Sequence, residues 1–260
     1  MQKIRIIALL LAVAGSASAQ QTNQPINQLT AEEKAGGWRL LFDGKSFAGW
    51  RGLGYDTVPT NHWEIDNGTI HVMGRAQVKK GADGRALPGG DLLTLSTFKD
   101  FELAFEWKVP PASNSGVKYN VDEKMSMGSP TLSSATVVSH SALGFEYQVL
   151  DDSLHSDGKL PIHRAGALYE LIPPNADKKL MPVGEWNRSR IVFRGNHGEH
   201  WLNGKMVVTY EMATPVFDSL IAKSKYHVIP GFANRRTGPI ILQDHNEEAW
   251  FRSIRIREIK

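Results

Sequence analysis

Phe101-Glu-Leu-Ala-Phe-Glu-Trp-Lys-Val109 places Phe101, Leu103, Phe105, Trp107 and Val109 on one side and Glu102, Ala104, Glu106 and Lys108 on the other. A period of two over nine residues marks a β-strand with one buried face. Gly144-Phe-Glu-Tyr-Gln-Val-Leu-Asp-Asp152 repeats the pattern, with Phe145, Tyr147 and Val149 opposite Glu146 and Gln148. Working outward, short strands are predicted at 189–194, 199–202, 206–210, 240–243 and 249–259, with an Asn-Gly hairpin turn at Leu202-Asn-Gly-Lys205. Gly (24) and Pro (13) punctuate the chain, and no long segment of period 3.6 appears. The pattern predicts an all-β protein, a two-sheet antiparallel sandwich of jelly-roll type. Six aromatic or β-branched side chains, Phe101, Phe105, Trp107, Phe145, Tyr147 and Val149, are expected to face its core.

The 260 residues are 41% hydrophobic and 22% charged, the balance of a globular protein rather than a disordered one. There is no cysteine, so disulfides, thiolate metal sites and Cys nucleophiles are excluded. The formal charge is +3, two of those positives are Lys3 and Arg5, and no basic stripe supports nucleic-acid binding. The N-terminus has a positive start, an apolar run from Ile6 to Gly15 and a small-residue cleavage site at Ala17-Ser-Ala19. Ten apolar residues fall short of the about 20 needed to cross a bilayer. The expected organisation is a signal peptide over 1–19, a polar leader with a short helix over 20–36, and one jelly-roll domain over 37–260. The helix is placed by the capping box Thr30-Ala-Glu-Glu33. Export to the periplasm or beyond is the expected location, without membrane insertion.

Glu146 and Gln148 are expected side by side on an open sheet face, with Asp151 and Asp152 at the strand's end. A carboxylate beside an amide suits a sugar, whose hydroxyls both donate and accept hydrogen bonds. Gln243 and His245 share a strand face and are expected to converge on Glu146. The stretch 151–182, irregular and polar, carries His155, Asp157, His163 and Arg164; long loops of this kind usually bear function. His155 and His163, with Glu146, form a candidate set for a divalent cation. Glu102 and Glu106 lie two pleats apart, roughly 13 Å by strand rise, too far for a glycosidase pair, and are expected to be surface charge. No phosphate-binding loop, dinucleotide fingerprint or Gly-x-Ser-x-Gly elbow is present, so no organic cofactor is implied.

A series of short motifs adds a family. Leu41-Phe-Asp-Gly-Lys-Ser-Phe-Ala-Gly-Trp50, Trp63-Glu-Ile-Asp-Asn-Gly68, Asn114-Ser-Gly116, Gly144 to Asp151, Gly166-Ala-Leu-Tyr169, Gly184-Glu-Trp-Asn187, His200-Trp-Leu-Asn-Gly204 and Leu242-Gln-Asp-His245 follow in order. So ordered, they resemble the 3-keto-disaccharide hydrolase family, also described as 3-keto-glucoside 1,2-lyase/hydratase. The resemblance runs from about residue 37 to the C-terminus; one departure is Arg252-Ser253 in place of the Arg-Asn pair common in the family. It implies a concanavalin A-like jelly roll and cleavage of 3-keto-glucosides by C2 proton abstraction, elimination and hydration. Glu146, His245 and His163 are the implied acid–base candidates. Gln148, Asp151, Arg164, Tyr169 and Gln243 are the substrate-binding candidates, and a small carbohydrate is the partner. The rival class is a non-catalytic, lectin-like sandwich, because a fold alone does not fix an activity. The leader reading has a direct check: intact mass of the exported protein should place its first residue near Gln20, and retention of residues 1–19 would refute it.

Overall fold

Residues 25–128 and 140–260 are described in the computed structural model; the expected signal peptide lies outside them. The described residues form, in order, β1 (Arg39–Leu40), β2 (Trp50–Gly52), β3 (Trp63–Asp66), β4 (Thr69–Val72), β5 (Leu92–Thr94), β6 (Phe101–Lys108), β7 (Asn114–Tyr119), β8 (Phe145–Leu150), β9 (Asn187–Arg194), β10 (His197–Leu202), β11 (Lys205–Glu211), β12 (Ile241–Leu242) and β13 (Ala249–Glu258). One sheet runs β11-β10-β9-β6-β13-β4-β3, with β1 also paired to β13; the other runs β2-β5-β12-β7-β8. All the strand pairs are antiparallel. Three helices, α1 (Ala31–Ala35), α2 (Glu123–Gly128) and α3 (Pro215–Lys223), decorate this two-sheet jelly-roll sandwich. The Thr30 capping box forms in full: Thr30 Oγ1 accepts from the Glu33 amide, and Glu33 accepts from the Thr30 amide.

The alternating faces of β6 and β8 meet across the sandwich. Phe101, Phe105, Trp107, Phe145, Tyr147 and Val149 are all at most 2% exposed and share one core. Phe105 and Tyr147 make an edge-to-face pair with centroids 5.5 Å apart. The polar ends of the aromatic residues are satisfied inside the core, as burial requires. Trp107 Nε1 donates to Ser189 Oγ at 2.8 Å, and Ser189 Oγ donates to Tyr147 OH at 2.8 Å. Tyr119 OH lies 2.7 Å from Tyr210 OH and 2.8 Å from His200 Nε2, whose Nδ1 reaches Gly166 O at 3.1 Å. These bonds fix the register of one sheet against the other.

Three parts of the fold depart from the sequence reading. The β3–β4 hairpin turns at Asn67-Gly68, and both residues are left-handed, as this turn type demands. Strand β7 is buried along its whole length, and with Ser115 on its inner face and Gly116 on its outer one, Asn114 to Tyr119 shows no clear apolar and polar alternation to read. Helix α3 buries Phe217 and lays Leu220 and Ile221 against the core, an apolar stripe too short to announce a helix. Glu102 is also not surface charge: it is 5% exposed and bound by Arg190 Nη1 and Arg257 Nε, while Glu106 pairs with Arg188 and Arg252. Arginines on neighbouring strands β9 and β13 cover both carboxylates.

Burial pushes the His200 imidazole down to about 4, so the native state holds it neutral. The unfolded chain takes up that proton near pH 6.5, and the native state refuses it until about pH 4. Stability is therefore present above pH 6.5 and lost as pH falls towards 4, by about 3 kcal/mol. In urea titrations the stability advantage of the native sequence over His200→Gln should therefore shrink by about 2 kcal/mol between pH 7 and 4.5, a comparison in which every other titrating group cancels.

Candidate active site

Glu146 and Gln148 leave β8 on the side opposite the core, but the face they occupy is not open. Glu146 is 6% exposed and Gln148 fully buried. The segment after β8 folds back along its free edge: Gly166 donates to Gln148 O at 2.8 Å, and Tyr169 donates to Glu146 O at 3.0 Å. That docking covers Glu146 and carries Tyr169, His163 and Glu170 towards it. On β7, Lys118 stands opposite Glu146 and Gly116 opposite Gln148. A side chain at Gly116 would collide with the Glu146 carboxylate, so the glycine is what makes room for it. With its NH2 turned towards Glu146, the Gln148 amide donates to Oε1 at 3.1 Å and to Ser115 O at 3.3 Å.

The electrostatics follow from this burial. Desolvation raises the Glu146 pKa to about 7, against the opposing charges of Lys118 and Lys225. Lys118 Nζ lies 3.9 Å from Glu146 but spends its donors on Asp91 (3.0 Å), Ser141 Oγ (3.3 Å) and Ala142 O (3.1 Å). Burial works against the Lys118 charge, yet Asp91 and Glu146 outweigh it and hold the pKa above the ordinary lysine value. The Tyr169 hydroxyl is pushed up by burial and by Glu146, Asp157 and Glu170, so it stays protonated at neutral pH. Its ring is stacked on His163, centroids 4.5 Å apart, with Lys225 Nζ 4.3 Å from its centroid. Glu170 binds His163 Nε2 at 2.7 Å from a backbone with φ +68°, a left-handed strain of the kind found at functional sites. Among the buried polar atoms of the described residues that have no hydrogen-bond partner are His163 Nδ1, 4.0 Å from Asp157 Oδ1, and Gln243 Oε1. Buried polar atoms are rarely left so, and a ligand rich in hydroxyls would satisfy them.

Other candidates are placed elsewhere. His245 is exposed beyond the end of β12 and pairs with Glu247, not with Glu146. The alternation of the short strand stops at Leu242, and Asp244 turns back to bind His62 at 2.6 Å. Asp151 is consumed in closing its own loop, accepting from Ala112 N at 2.8 Å and Ser153 N at 2.9 Å. Arg164 is exposed, donates to Gly158 O at 2.8 Å and lines a surface groove with Asn175 and Lys178. Sequence reasoning missed Asn114, Gly116, Lys118, Glu170 and Lys225. Asn114 and Gly116 stood in a quoted motif, but their strand lacked a pattern, and Lys225 arrives from the turn after α3 by tertiary contact alone.

The cation set Glu146, His155 and His163 does not converge. Among the described residues, the group of three with ligand atoms within 4.8 Å of one another is His155, His245 and Glu247. Glu247 Oε2 is 3.5 Å from both His155 Nε2 and His245 Nδ1. However, His155 Nδ1 accepts the Asp157 amide at 3.1 Å, so its neutral ring carries the proton on Nε2, facing Glu247. A histidine that binds metal through Nε2 instead donates from Nδ1. The trio fits a clasp between loop and strand end rather than a divalent cation.

A buried carboxylate of raised pKa beside amides and unpaired polar atoms, on a jelly-roll face, suits a carbohydrate-active enzyme. The comparisons agree. Residues 37–257 match the model of the 3-keto-alpha-glucoside-1,2-lyase-like domain, and the chain belongs to that family. It is 34% identical over 261 residues to the 3-keto-disaccharide hydrolase of Bacteroides thetaiotaomicron, covering 95% of this chain and 86% of that one. A candidate glycosyl hydrolase from Parabacteroides distasonis superimposes with a TM-score of 0.74 at 26% identity, covering 91% of this chain and all of that one. A second from the same organism gives 0.61 at 24% identity, over 85% of this chain and 99% of that one.

The raised pKa of Glu146 has a measurable cost. The native state prefers the protonated form, so stability is fully present below pH 4.5 and lost as pH rises through about 7. The loss is on the order of 3 kcal/mol. Glu146→Gln escapes it and should be more stable than the native sequence at pH 8.5, with the advantage shrinking at pH 5. An equal difference at both values in urea denaturation would count against the raised pKa.

Proposed function

We propose that this protein cleaves the glycosidic bond of 3-keto-glucosides by elimination and then hydration. The observation that carries the reading is Glu146: one buried carboxylate, at about 7, with no second carboxylate on its strand. A pair acting as nucleophile and acid is absent from β8, and a 3-keto sugar does not need one. Its ketone acidifies the C2 proton, so a single well-placed base can start the reaction. Glu146 takes that proton, and the C2–H electron pair becomes the enolate. The enolate then expels the C1 glycosidic oxygen, which leaves with a proton, giving a 2-hydroxyglucal ketone. Water adds at C1, a proton returns to C2, and the sum is hydrolysis. His163, held by Glu170 and stacked on Tyr169, is the second acid–base group within the same cluster.

The family supports the substrate class, and the named relative supports the net outcome. Gln243 Oε1 and the Asn114–Gln148 amides, 3.2 Å apart, supply acceptors and donors for the hydroxyls. The same reading sets the reaction in the periplasm or outside the cell, on the strength of the leader pattern over 1–19.

Purified protein given a 3-keto-glucoside should release the aglycone, with a transient enone absorbance if elimination precedes hydration. The rate kcat/KM should rise with pH and level off above about 7, as Glu146 ionises. Glu146→Gln should lower turnover about 100-fold or more with the fold intact. Binding without turnover in the native sequence would favour the lectin-like alternative.

A further inference from the structure

Among the described residues, Lys225 is the one cation of the cluster whose side chain makes no hydrogen bond. It opens the turn that follows α3 (Pro215–Lys223), where the Ser224 hydroxyl caps the next backbone amide. Its own amide donates to Glu170 Oε1 at 3.4 Å, which ties the turn to the loop that covers β8. The side chain then lies over the aromatic faces of Tyr169 and Tyr226, 4.3 and 5.5 Å from their centroids. The carboxylate within ion-pair range is Glu170, at 3.9 Å, beyond a hydrogen bond. Among the described residues, no acceptor lies within hydrogen-bonding distance of Nζ. Lys118 is the contrast: its three acceptors are Asp91, Ser141 and Ala142.

A half-buried ammonium carried on two aromatic rings, beside a base and with its donors unclaimed, is placed for an oxygen that gains negative charge. We propose that Lys225 Nζ donates to the C3 carbonyl oxygen of the bound sugar, stabilises the enolate formed when Glu146 removes the C2 proton, and thereby selects oxidised over unoxidised glucosides. This rests on the function proposed above. The electron pair of the C2–H bond forms the C2–C3 double bond, the C3–O π pair moves to O3, and Lys225 stays protonated throughout. A group that meets the charge only as it develops stabilises the transition state more than the ground state. An unoxidised glucoside offers a hydroxyl there and no enolate, so the interaction gains little with it. Burial holds the Lys225 pKa below the ordinary lysine value, against the opposing pull of Glu146 and Glu170.

The test separates proton abstraction from bond cleavage. The 3-keto derivative of 1,5-anhydroglucitol has a C2 proton but no leaving group at C1, so exchange of that proton in deuterated water reads the first step alone by NMR. The native protein should catalyse the exchange. Lys225→Met should slow it about 100-fold, mainly in kcat, and Lys225→Arg should recover at least tenfold of the loss. The variant should also move the pH midpoint of exchange upward, because the Lys225 charge lowers the Glu146 pKa. A lysine that only tuned Glu146 would move that midpoint but leave the plateau rate above it unchanged, whereas loss of the contact to O3 lowers the plateau itself. A plateau rate of exchange by folded Lys225→Met within threefold of the native rate, or an unmoved midpoint, overturns the assignment. A native protein inert to the ketone and to 3-keto-glucosides would instead remove the function itself, and this proposal with it.

Discussion

One buried carboxylate, Asp91, holds the functional sheet together. It is completely inaccessible to solvent and accepts from Lys118 Nζ, the Ala142 amide and the Asp244 amide, at 3.0, 2.7 and 2.9 Å. Those partners lie on β7 (Asn114–Tyr119), just before β8 (Phe145–Leu150) and just after β12 (Ile241–Leu242), while Asp91 itself leads into β5 (Leu92–Thr94). Four chain segments are thus fixed to a single charge. A buried ion pair of this kind adds little net stability, but removing one partner typically costs 3–5 kcal/mol by leaving the other uncompensated. The consequence for chemistry is positional. Lys118 is held at a set height on the outer face of the five-stranded sheet, and Glu146 stands opposite it.

The site is built by placing groups where they are individually unfavourable. Glu146 is desolvated, Gly116 gives up side-chain packing to admit it, and Glu170 adopts a left-handed backbone while binding His163. These costs are offset on the other face of β8, where Phe145, Tyr147 and Val149 lock into an aromatic core that has its own internal hydrogen bonds. The same strand therefore supplies stability on one side and a strained, basic carboxylate on the other. This division of labour is the usual condition for holding a group in a high-energy state without losing the fold. The covering loop after β8 adds aromatic surface and two ionisable groups, and its backbone bonds to β8 make it a partial extra strand rather than a loose flap.

The two alternating stretches were read correctly because each carries apolar side chains on one face and polar ones on the other, although β8 is buried on both. The capping box at Thr30 was legible for a similar reason, since all its bonds are local. Legibility failed where residue types did not alternate clearly or the contact was distant. β7 is buried on both faces, and Asn114, Gly116 and Lys118 carry no periodicity that points to a site. His245 illustrates the opposite error: alternation was extended past Leu242, where the strand has already ended and the chain turns under the pull of Asp244 on His62. Asp151 and Arg164 have residue types suited to binding a sugar, but their hydrogen bonds are used to shape the loop.

The sequence by itself determined the sandwich, the inward face of its strands and the identity of Glu146 and Gln148 as neighbours, because these follow from local periodicity and the solubility of side chains. The ordered motifs added the family. Only the tertiary structure decided that Glu146 is buried, that Lys118 is spent and Lys225 is not, and that His155 faces Glu247 with its protonated nitrogen. Those properties depend on what covers a side chain and on which partners have already been claimed. Both are set by segments far apart in the chain, so no local pattern of residues encodes them.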